Sequence, residues 1–274
     1  YESNNPVQKK IASDITDTTI SVENLKYNTT YFWQVTVKDG EATTNSNIWS
    51  FTTMLAPDNP FLFASWKDGN YEIYSSDTTD NSTIRLTNNS FRDWYPRLSP
   101  NKLQIAFISD EQVDPQIFTM DIDGSDIFRV TNIPVAGYHN NGIGFSWSPD
   151  GGQLIYPNYD KLYKINQSGA SLTQIATAPP DRHFRETDWS ASTNKIVALT
   201  IGEKPYDSEI YLMDSINKPT GTNDLQPRFS PDGANIIFIN TSNVLGSTAY
   251  IWVMTVNGSD RWKIINNAIM PDWN

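Results

Sequence analysis

Four acidic residues are the main candidates for chemistry in this sequence, because each lies near the start of a strand-like apolar run. They are Asp93, Glu186, Asp188 and Asp224. A glycosidase needs such carboxylates about 5–10 Å apart, one as the acid and one as the nucleophile or base. Glycan hydrolysis is therefore one interpretation. The sequence has no Gly-x-Ser-x-Gly motif and no phosphate-cradling glycine loop. We assign no catalytic residue and favour a non-enzymatic chain.

Metal ligands are scarce. The chain has no cysteine and two histidines, His139 and His183, so a three-histidine site and a thiolate zinc site are both excluded. Residues 121–126 resemble the start of a calcium loop, but Asn132 stands where the loop needs a bidentate glutamate. We interpret this segment as a hairpin turn with a glycine at positive φ. No metal and no cofactor is predicted.

The charge balance narrows the class of partner. The formal net charge is -11, from 20 basic and 31 acidic residues. Nucleic acid and anionic membranes both attract a positive surface, so neither is an expected partner. No apolar run approaches the roughly 20 residues that a membrane-spanning helix needs, and we expect no membrane insertion.

A short turn motif recurs ahead of apolar runs. The serines of its four copies, 49, 42 and 40 residues apart, are Ser99, Ser148, Ser190 and Ser230. Proline presets φ in such a turn and aspartate accepts backbone hydrogen bonds. We therefore interpret these serines, together with Asp150 and Asp232, as structural turn residues rather than as nucleophiles.

The repeat spacing predicts the fold class. Four strand-like runs per period of roughly 40–45 residues are typical of a β-propeller blade, and no segment shows a sustained helical period. A fifth copy of the motif begins at Pro271. We therefore predict an all-β propeller with five blades. Residues 270–273 should pair with residues 61–64 and close the ring, which leaves no open sheet edge.

This repeat, Ser-Pro-Asp-Gly followed by an apolar strand, an Ile-Tyr-x-Met strand and a Gly-Ser turn, is similar to the TolB-like propeller repeat. The resemblance covers residues 60–274 and implies four-stranded blades. It implies nothing about activity, because the repeat residues are structural and the fold hosts many functions. TolB propellers usually have six blades, one more than the count here.

The first part of the chain follows a different pattern. Residues 25–33 and 49–53 resemble the C-terminal half of a fibronectin type III domain, with Tyr31 as its tyrosine-corner residue. Half a sandwich exposes an apolar face, so its other strands come either from residues upstream of Tyr1 or from another subunit. We divide the chain into a partial fibronectin-like domain (1–53), a proline-containing linker (54–60) and the propeller (61–274).

The links at one end of the predicted blades vary in length and carry aromatic, imidazole and charged groups. Recognition residues favour variable loops on a rigid scaffold, and interface hot spots are rich in aromatic residues and arginine. The candidate binding residues are Arg92, Trp94, Tyr138, His139, His183, Arg185 and Glu186. The alternative is that these links are merely solvated.

Together, these patterns predict a non-enzymatic binding or scaffolding protein that is extracellular or at the cell surface, with the periplasm as a further compartment. Its expected partner is a protein or a glycan. Two alternatives stay open. One is a subunit of an extracellular fibre that assembles with copies of itself through the incomplete sandwich. The other is a five-bladed propeller glycosidase.

Overall fold

The computed structural model describes residues 11–22, 25, 29–53, 59, 61–77, 83–137, 140–141, 144–204, 207–213, 215–216, 223–241 and 248–268. All regular secondary structure in these ranges is β-strand. None of these residues forms a helix that could cross a membrane. The predicted closing strand, residues 270–273, lies outside the described residues.

Four short strands of the N-terminal segment form two antiparallel pairs, the first strand with the fourth and the second with the third. They are β1 (Thr30–Trp33), β2 (Thr36–Lys38), β3 (Thr43–Asn45) and β4 (Trp49–Thr52). The antiparallel register of β1 with β4 places Tyr31 opposite Phe51 and Trp33 opposite Trp49. The two indole rings lie 4.6 Å apart, and each tryptophan is more than 40% exposed, at 47% and 43%. One face of this small sheet is therefore apolar and open to solvent.

Five sheets follow in chain order within the described residues. Sheet 1 contains β5 (Phe61–Ser65), β6 (Glu72–Ser76) and β7 (Ile84–Arg85). Sheet 2 contains β8 (Asp93–Leu98), β9 (Gln104–Ser109), β10 (Gln116–Asp121) and β11 (Phe128–Arg129). Sheet 4 contains β18 (Arg182–Trp189), β19 (Ile196–Gly202), β20 (Ser208–Leu212) and β21 (Ser215–Ile216). Sheet 5 contains β22 (Asn223–Phe229), β23 (Asn235–Thr241), β24 (Tyr250–Thr255) and β25 (Arg261–Asn266). In each sheet, neighbours in sequence pair antiparallel.

Sheet 3 departs from this order. It contains β12 (Ala136–Gly137), β13 (Asn140–Asn141), β14 (Ser146–Trp147), β15 (Gln153–Asn158), β16 (Lys161–Asn166) and β17 (Thr173–Thr177). The short β14 pairs with only the first half of β15, and β12 runs parallel to the end of β15. The strands β12 and β13 form a hairpin. This hairpin accounts for the long spacing of 49 residues between Ser99 and Ser148.

The central strands bury side chains on both of their faces. In β9, Ile105 and Phe107 pack in a cluster with sheet 1, whereas Ala106 and Ile108 pack in a cluster with sheet 3. In β19, Val197 packs toward sheet 5 and Ala198 toward sheet 3. A strand between two sheets therefore needs an unbroken apolar run, which explains why these segments do not alternate with polar residues.

The serine turns close with the same hydrogen bonds in different sheets. The hydroxyl of Ser148 donates to Asp150 at 2.6 Å, and that of Ser230 donates to Asp232 at 2.5 Å. Each serine Oγ also accepts the backbone N–H five residues later. Two hydrogen bonds lower the pKa of each aspartate. The larger effect comes from the serine hydroxyl and the smaller one from a backbone N–H.

We expect glycine to be required where neighbouring sheets approach each other. Gly124 has a φ of 85°, and a Cβ there would lie 2.6 Å from the carbonyl oxygen of Leu86 on sheet 1. Gly69 has a φ of 105° with nothing within 4 Å of its Cβ position, so it serves as a matched control. Gly124→Ala should lower the free energy of unfolding by about 1–3 kcal/mol more than Gly69→Ala, because it adds overpacking to backbone strain.

Urea denaturation of the two variants measures this difference. Equal losses of stability would contradict the prediction, since backbone strain at positive φ would then explain the whole loss in both variants.

Candidate functional site

The variable links meet at one end of the sheets, which we call the variable end. In sheet 2, the register places Asp93 beside Ser109 and Ser109 beside Gln116. The first strand therefore begins, the second ends and the third begins at this same end. In sheet 4 the register of Arg182, Gly202 and Ser208 gives the same arrangement. The serine turns lie at the opposite end.

A group of aromatic residues lies at the variable end of sheets 1 and 2, with Trp66, Tyr71 and Phe91 exposed and Trp94 partly buried. We call Trp66, Tyr71, Phe91, Arg92 and Trp94 the aromatic cluster. Trp66 and Tyr71 form an edge-to-face pair with ring centroids 5.0 Å apart. The Arg92 guanidinium lies 5.6 Å from the Trp94 ring centre. Trp66 is 55% exposed, so large apolar surface faces solvent here.

Hydrogen bonds tie the two loops of the cluster together. The backbone N–H of Asp93 donates to the carbonyl of Tyr71 at 2.7 Å. The side-chain amide of Asn70 donates to the carbonyl of Asn89 at 3.0 Å and also to that of Phe91. The loops 66–71 and 89–92 are thus held in one arrangement, although they belong to different sheets.

A buried glutamate lies beneath these loops. Glu72 has no exposed surface, and its carboxylate accepts four hydrogen bonds of 2.6–3.1 Å. The donors are Asn70 Nδ2, Arg85 Nη2, Thr87 Oγ1 and the backbone N–H of Asn89. The side chain of Asn89 donates in turn to Asp93 at 2.8 Å. The network therefore connects a carboxylate of sheet 1 with a carboxylate of sheet 2.

The second carboxylate, Asp93, is 1% exposed. Burial raises the pKa of Asp93 above its ordinary value, and the charge of Glu72 raises it further. Hydrogen bonds from Ser109 and Asn89 act in the opposite direction. A buried carboxyl group with a disfavoured charge is characteristic of functional positions.

The predicted binding residues fall into separate groups. Arg92 and Trp94 lie together, and Arg92 donates to Asp110 through its backbone N–H and its Nε at 2.7 and 2.6 Å. His183 lies on β18 with its ring edge-to-face with Tyr159 at 5.1 Å. Burial lowers the pKa of His183, although Asp160 and Glu203 oppose this shift. Tyr138 and His139 lie outside the described residues, between β12 and β13.

Arg185 and Glu186 form another group on β18. Arg185 occupies a bulge of this strand, and its Nε lies 3.8 Å from one oxygen of Glu186. Arg228 from sheet 5 lies 3.9 Å from the other oxygen. This buried glutamate therefore has a guanidinium group near each of its two oxygens.

The sequence analysis did not include Trp66 and Tyr71, which flank the turn at Asp68 and Gly69, among the candidate binding residues. Two aromatic residues flanking a turn in a solvated link were the available signal. The pairing of this link with residues 89–92 could not be predicted, since it depends on how two sheets pack.

The carboxylates required for glycan hydrolysis have protein partners. Asp224 accepts hydrogen bonds from Arg261 at 2.7 Å and Asn240 at 2.6 Å. Asp188 accepts the backbone N–H of Phe229 at 2.8 Å. No group of three or more His, Asp or Glu residues within the described ranges is placed to hold a metal ion.

Successive antiparallel sheets packed face to face define the chain as an all-β protein of the propeller class. It belongs to the TolB beta propeller domain family, which it matches over residues 24–182. The match begins inside the segment that the sequence analysis assigns to the partial sandwich.

The chain is 29% identical over 147 residues to a "Protein TolB homolog" of Chlorobium chlorochromatii, covering 50% of this chain and 31% of that protein. Among solved structures, TolB from Acinetobacter baumannii superposes with a TM-score of 0.55 at 15% identity, over 76% of this chain and 52% of that one. A candidate TolB from Agrobacterium tumefaciens has a TM-score of 0.55 at 14% identity, over 89% and 93%. The chain thus spans about a third of the Chlorobium protein and half of the Acinetobacter protein, and the structural likeness shows the fold alone.

Arg261→Met should be strongly destabilising at neutral pH, because it leaves the charge of Asp224 buried without its guanidinium partner. We expect a loss of about 3–5 kcal/mol in the free energy of unfolding. Burial already raises the pKa of Asp224 despite Arg261. Protonation at lower pH removes the unpaired charge, so the loss should shrink as the pH falls from 7.5 to 5.

The control is Arg92→Met, whose side chain is 58% exposed. An exposed ion pair contributes about 0–1 kcal/mol. Urea denaturation at both pH values measures these effects. The prediction is contradicted if the two variants lose similar free energies of unfolding, or if the loss in Arg261→Met does not depend on pH. Either result would show that the unpaired charge of Asp224 does not cause the loss of stability.

Proposed function

We propose that this chain is a non-enzymatic binding or scaffolding protein that acts outside the cytoplasm, at the cell surface or in the periplasm. It presents its variable end to a protein or glycan partner. The observation that carries the proposal is the exposed aromatic cluster. Tryptophan, tyrosine and arginine are the residues enriched at interface hot spots, and Trp66, Tyr71 and Phe91 are exposed aromatic residues on two loops that hydrogen-bond to each other.

The rigidity of this surface supports the same proposal. Asn70 and Asn89 hold both loops on Glu72, and the ion pair with Asp110 fixes Arg92. A partner would therefore meet side chains and loops that are already ordered. Preorganisation reduces the entropy lost on binding and increases affinity for a given contact area.

The two alternatives have weaker support. The glycosidase needs free carboxyl groups, whereas Asp224 and Glu186 each face arginine. The fibre finds support in the apolar face formed by Trp33 and Trp49, which a partner strand or sheet would cover. The same face fits our proposal that residues 1–53 are half of a fibronectin-type sandwich, because the inner face of such a sheet is apolar.

Ligand binding tests the main proposal. The probes are a glycan array and purified surface proteins and polysaccharides from the organism that produces the chain. Trp66→Ala and Arg92→Ala should each weaken binding of the partner at least about tenfold, as expected for hot-spot residues. Phe128→Ala is the matched control, because Phe128 is an exposed aromatic residue (48%) on the outer strand β11.

The control variant should bind as the unmodified chain does. Equal affinities for all three variants would place the binding site elsewhere, and the absence of any ligand among the probes would contradict the proposal.

We also propose that the five sheets are five blades of a closed ring. Phe61 of β5 pairs with Ser76, as Ile105 of β9 pairs with Met120. Sheet 1 therefore begins with the strand that is second in sheet 2, and its first strand has to come from elsewhere. Pro271 and Trp273 repeat the proline and apolar spacing of the first strands, which makes residues 270–273 the proposed closing strand.

A cysteine pair tests ring closure, since the chain contains no other cysteine. By analogy with the pairs of Leu98 with Ile105 and Phe229 with Ile236, we propose that Trp273 lies beside Phe61. Phe61→Cys combined with Trp273→Cys should form an intramolecular disulfide, measured by mass spectrometry under non-reducing conditions. Phe61→Cys combined with Asn257→Cys is the control and should keep free thiols. Free thiols in both pairs would contradict closure.

A further inference from the structure

Two buried carboxylates from adjacent sheets lie close to each other beneath the aromatic cluster. Glu72 starts β6 in sheet 1 and Asp93 starts β8 in sheet 2, and both are at most 1% exposed. Asn89 connects them, because its backbone N–H donates to Glu72 and its side chain donates to Asp93. The two loops of the cluster therefore meet on these two acids.

The charges that face this pair do not balance. Arg85 on β7 contacts Glu72 at 2.9 Å and lies 3.6 Å from Asp68, so it is shared by two carboxylates. Ser109 on β9 provides only a hydroxyl group to Asp93, and the hydroxyl of Thr87 donates to Glu72. The neighbouring Arg92 is bound to Asp110. Within the described residues, no cation forms an ion pair with Asp93, and the charge of Asp93 repels the charge of Glu72.

In sheet 2, the position that corresponds to Glu72 carries no charge, so there is no repulsion between carboxylates there. Gln116 occupies the start of β10, as Glu72 occupies the start of β6. The N–H of Ile117 donates to Thr131 Oγ1 at 2.9 Å, and that of Ile73 donates to Thr87 Oγ1 at the same distance. The repeat thus forms this arrangement with a neutral side chain, which shows that the hydrogen-bonding pattern does not require an acid at the position of Glu72.

We propose that Glu72 and Asp93 form a pH-sensitive latch that closes loops 66–71 and 89–92 more tightly as the pH falls. Opening the loops would hydrate both carboxylates, so it is favoured while both are charged. A proton on Asp93 removes the repulsion and the cost of burying its charge, and one carboxyl oxygen still accepts from Asn89. The latch is a property of the chain alone and holds whether or not the aromatic cluster binds a partner.

The sign of the change in loop stability with pH follows from the number of protons that the closed and open states bind. Burial raises the pKa of Asp93 in the closed state above its ordinary value of 3.8, and hydration in the open state returns the pKa toward that value. The closed state therefore binds more protons across this window. The free energy of opening is greatest at low pH and decreases as the pH rises through the raised pKa.

Hydrogen exchange on the full chain at pH 5 and pH 8, corrected for the intrinsic rate, tests the latch. The reporters are the N–H groups of Asn89, Phe91 and Asp93, which donate to Glu72, Asn89 and Tyr71. We expect their protection to be at least fivefold greater at pH 5. The N–H of Ile117 is the internal control and should change less than twofold.

Asp93→Asn should keep high protection at both pH values, because the amide keeps an oxygen for Asn89 and carries no charge. Glu72→Gln removes the same repulsion by neutralising the other acid of the pair. It should reduce the difference in protection between pH 5 and pH 8, and it provides a test even if Asp93→Asn folds poorly. Asp110→Asn, which breaks the exposed ion pair with Arg92, should retain the full pH effect. Protection in the unmodified chain that does not change with pH, or an unchanged pH effect in Asp93→Asn, would overturn the proposal.

Discussion

The central sheets of this protein have apolar side chains on both faces, and the rest of the structure depends on burying both. Ile105 and Phe107 face one neighbouring sheet while Ala106 and Ile108 face the other. Such a sheet cannot stand at a surface, so each repeat needs a neighbour on either side. The close approach of turns follows from this constraint, since Gly124 leaves no room for a Cβ against sheet 1.

Because the sheet faces are committed to packing, many polar and charged groups lie near the strand ends, among them Glu72, Asp93 and Asp224. The two ends use them differently. The serine turns repeat one local hydrogen-bonding pattern, in which Ser148 and Ser230 each bind an aspartate two residues later. The variable end instead buries acids such as Glu72 and Asp224 with arginine partners from other strands. These pairs connect separate strands, which fits an end that positions loops, and the loss of one partner leaves an uncompensated buried charge.

Membership in the TolB beta propeller domain family accounts for the repeats, and the differences between repeats account for what is individual to this chain. Sheet 3 adds the β12–β13 hairpin at the variable end. Sheets 1 and 2 carry the aromatic cluster, and an acid pair there replaces the neutral Gln116 arrangement. A fold common to many functions leaves recognition to such departures.

The sequence by itself determined the all-β class, the repeat period, the serine turns and the end of the sheets at which variable links gather. These features depend on residues near each other in the chain, so spacing and turn chemistry predict them. Only the tertiary structure decided that the backbone N–H of Asp93 donates to the carbonyl of Tyr71, that Glu72 shares Asn89 with Asp93, and that β12 pairs parallel to β15. Each of these contacts joins residues from different strands or sheets. Their positions are set by how whole sheets pack, which no local pattern contains.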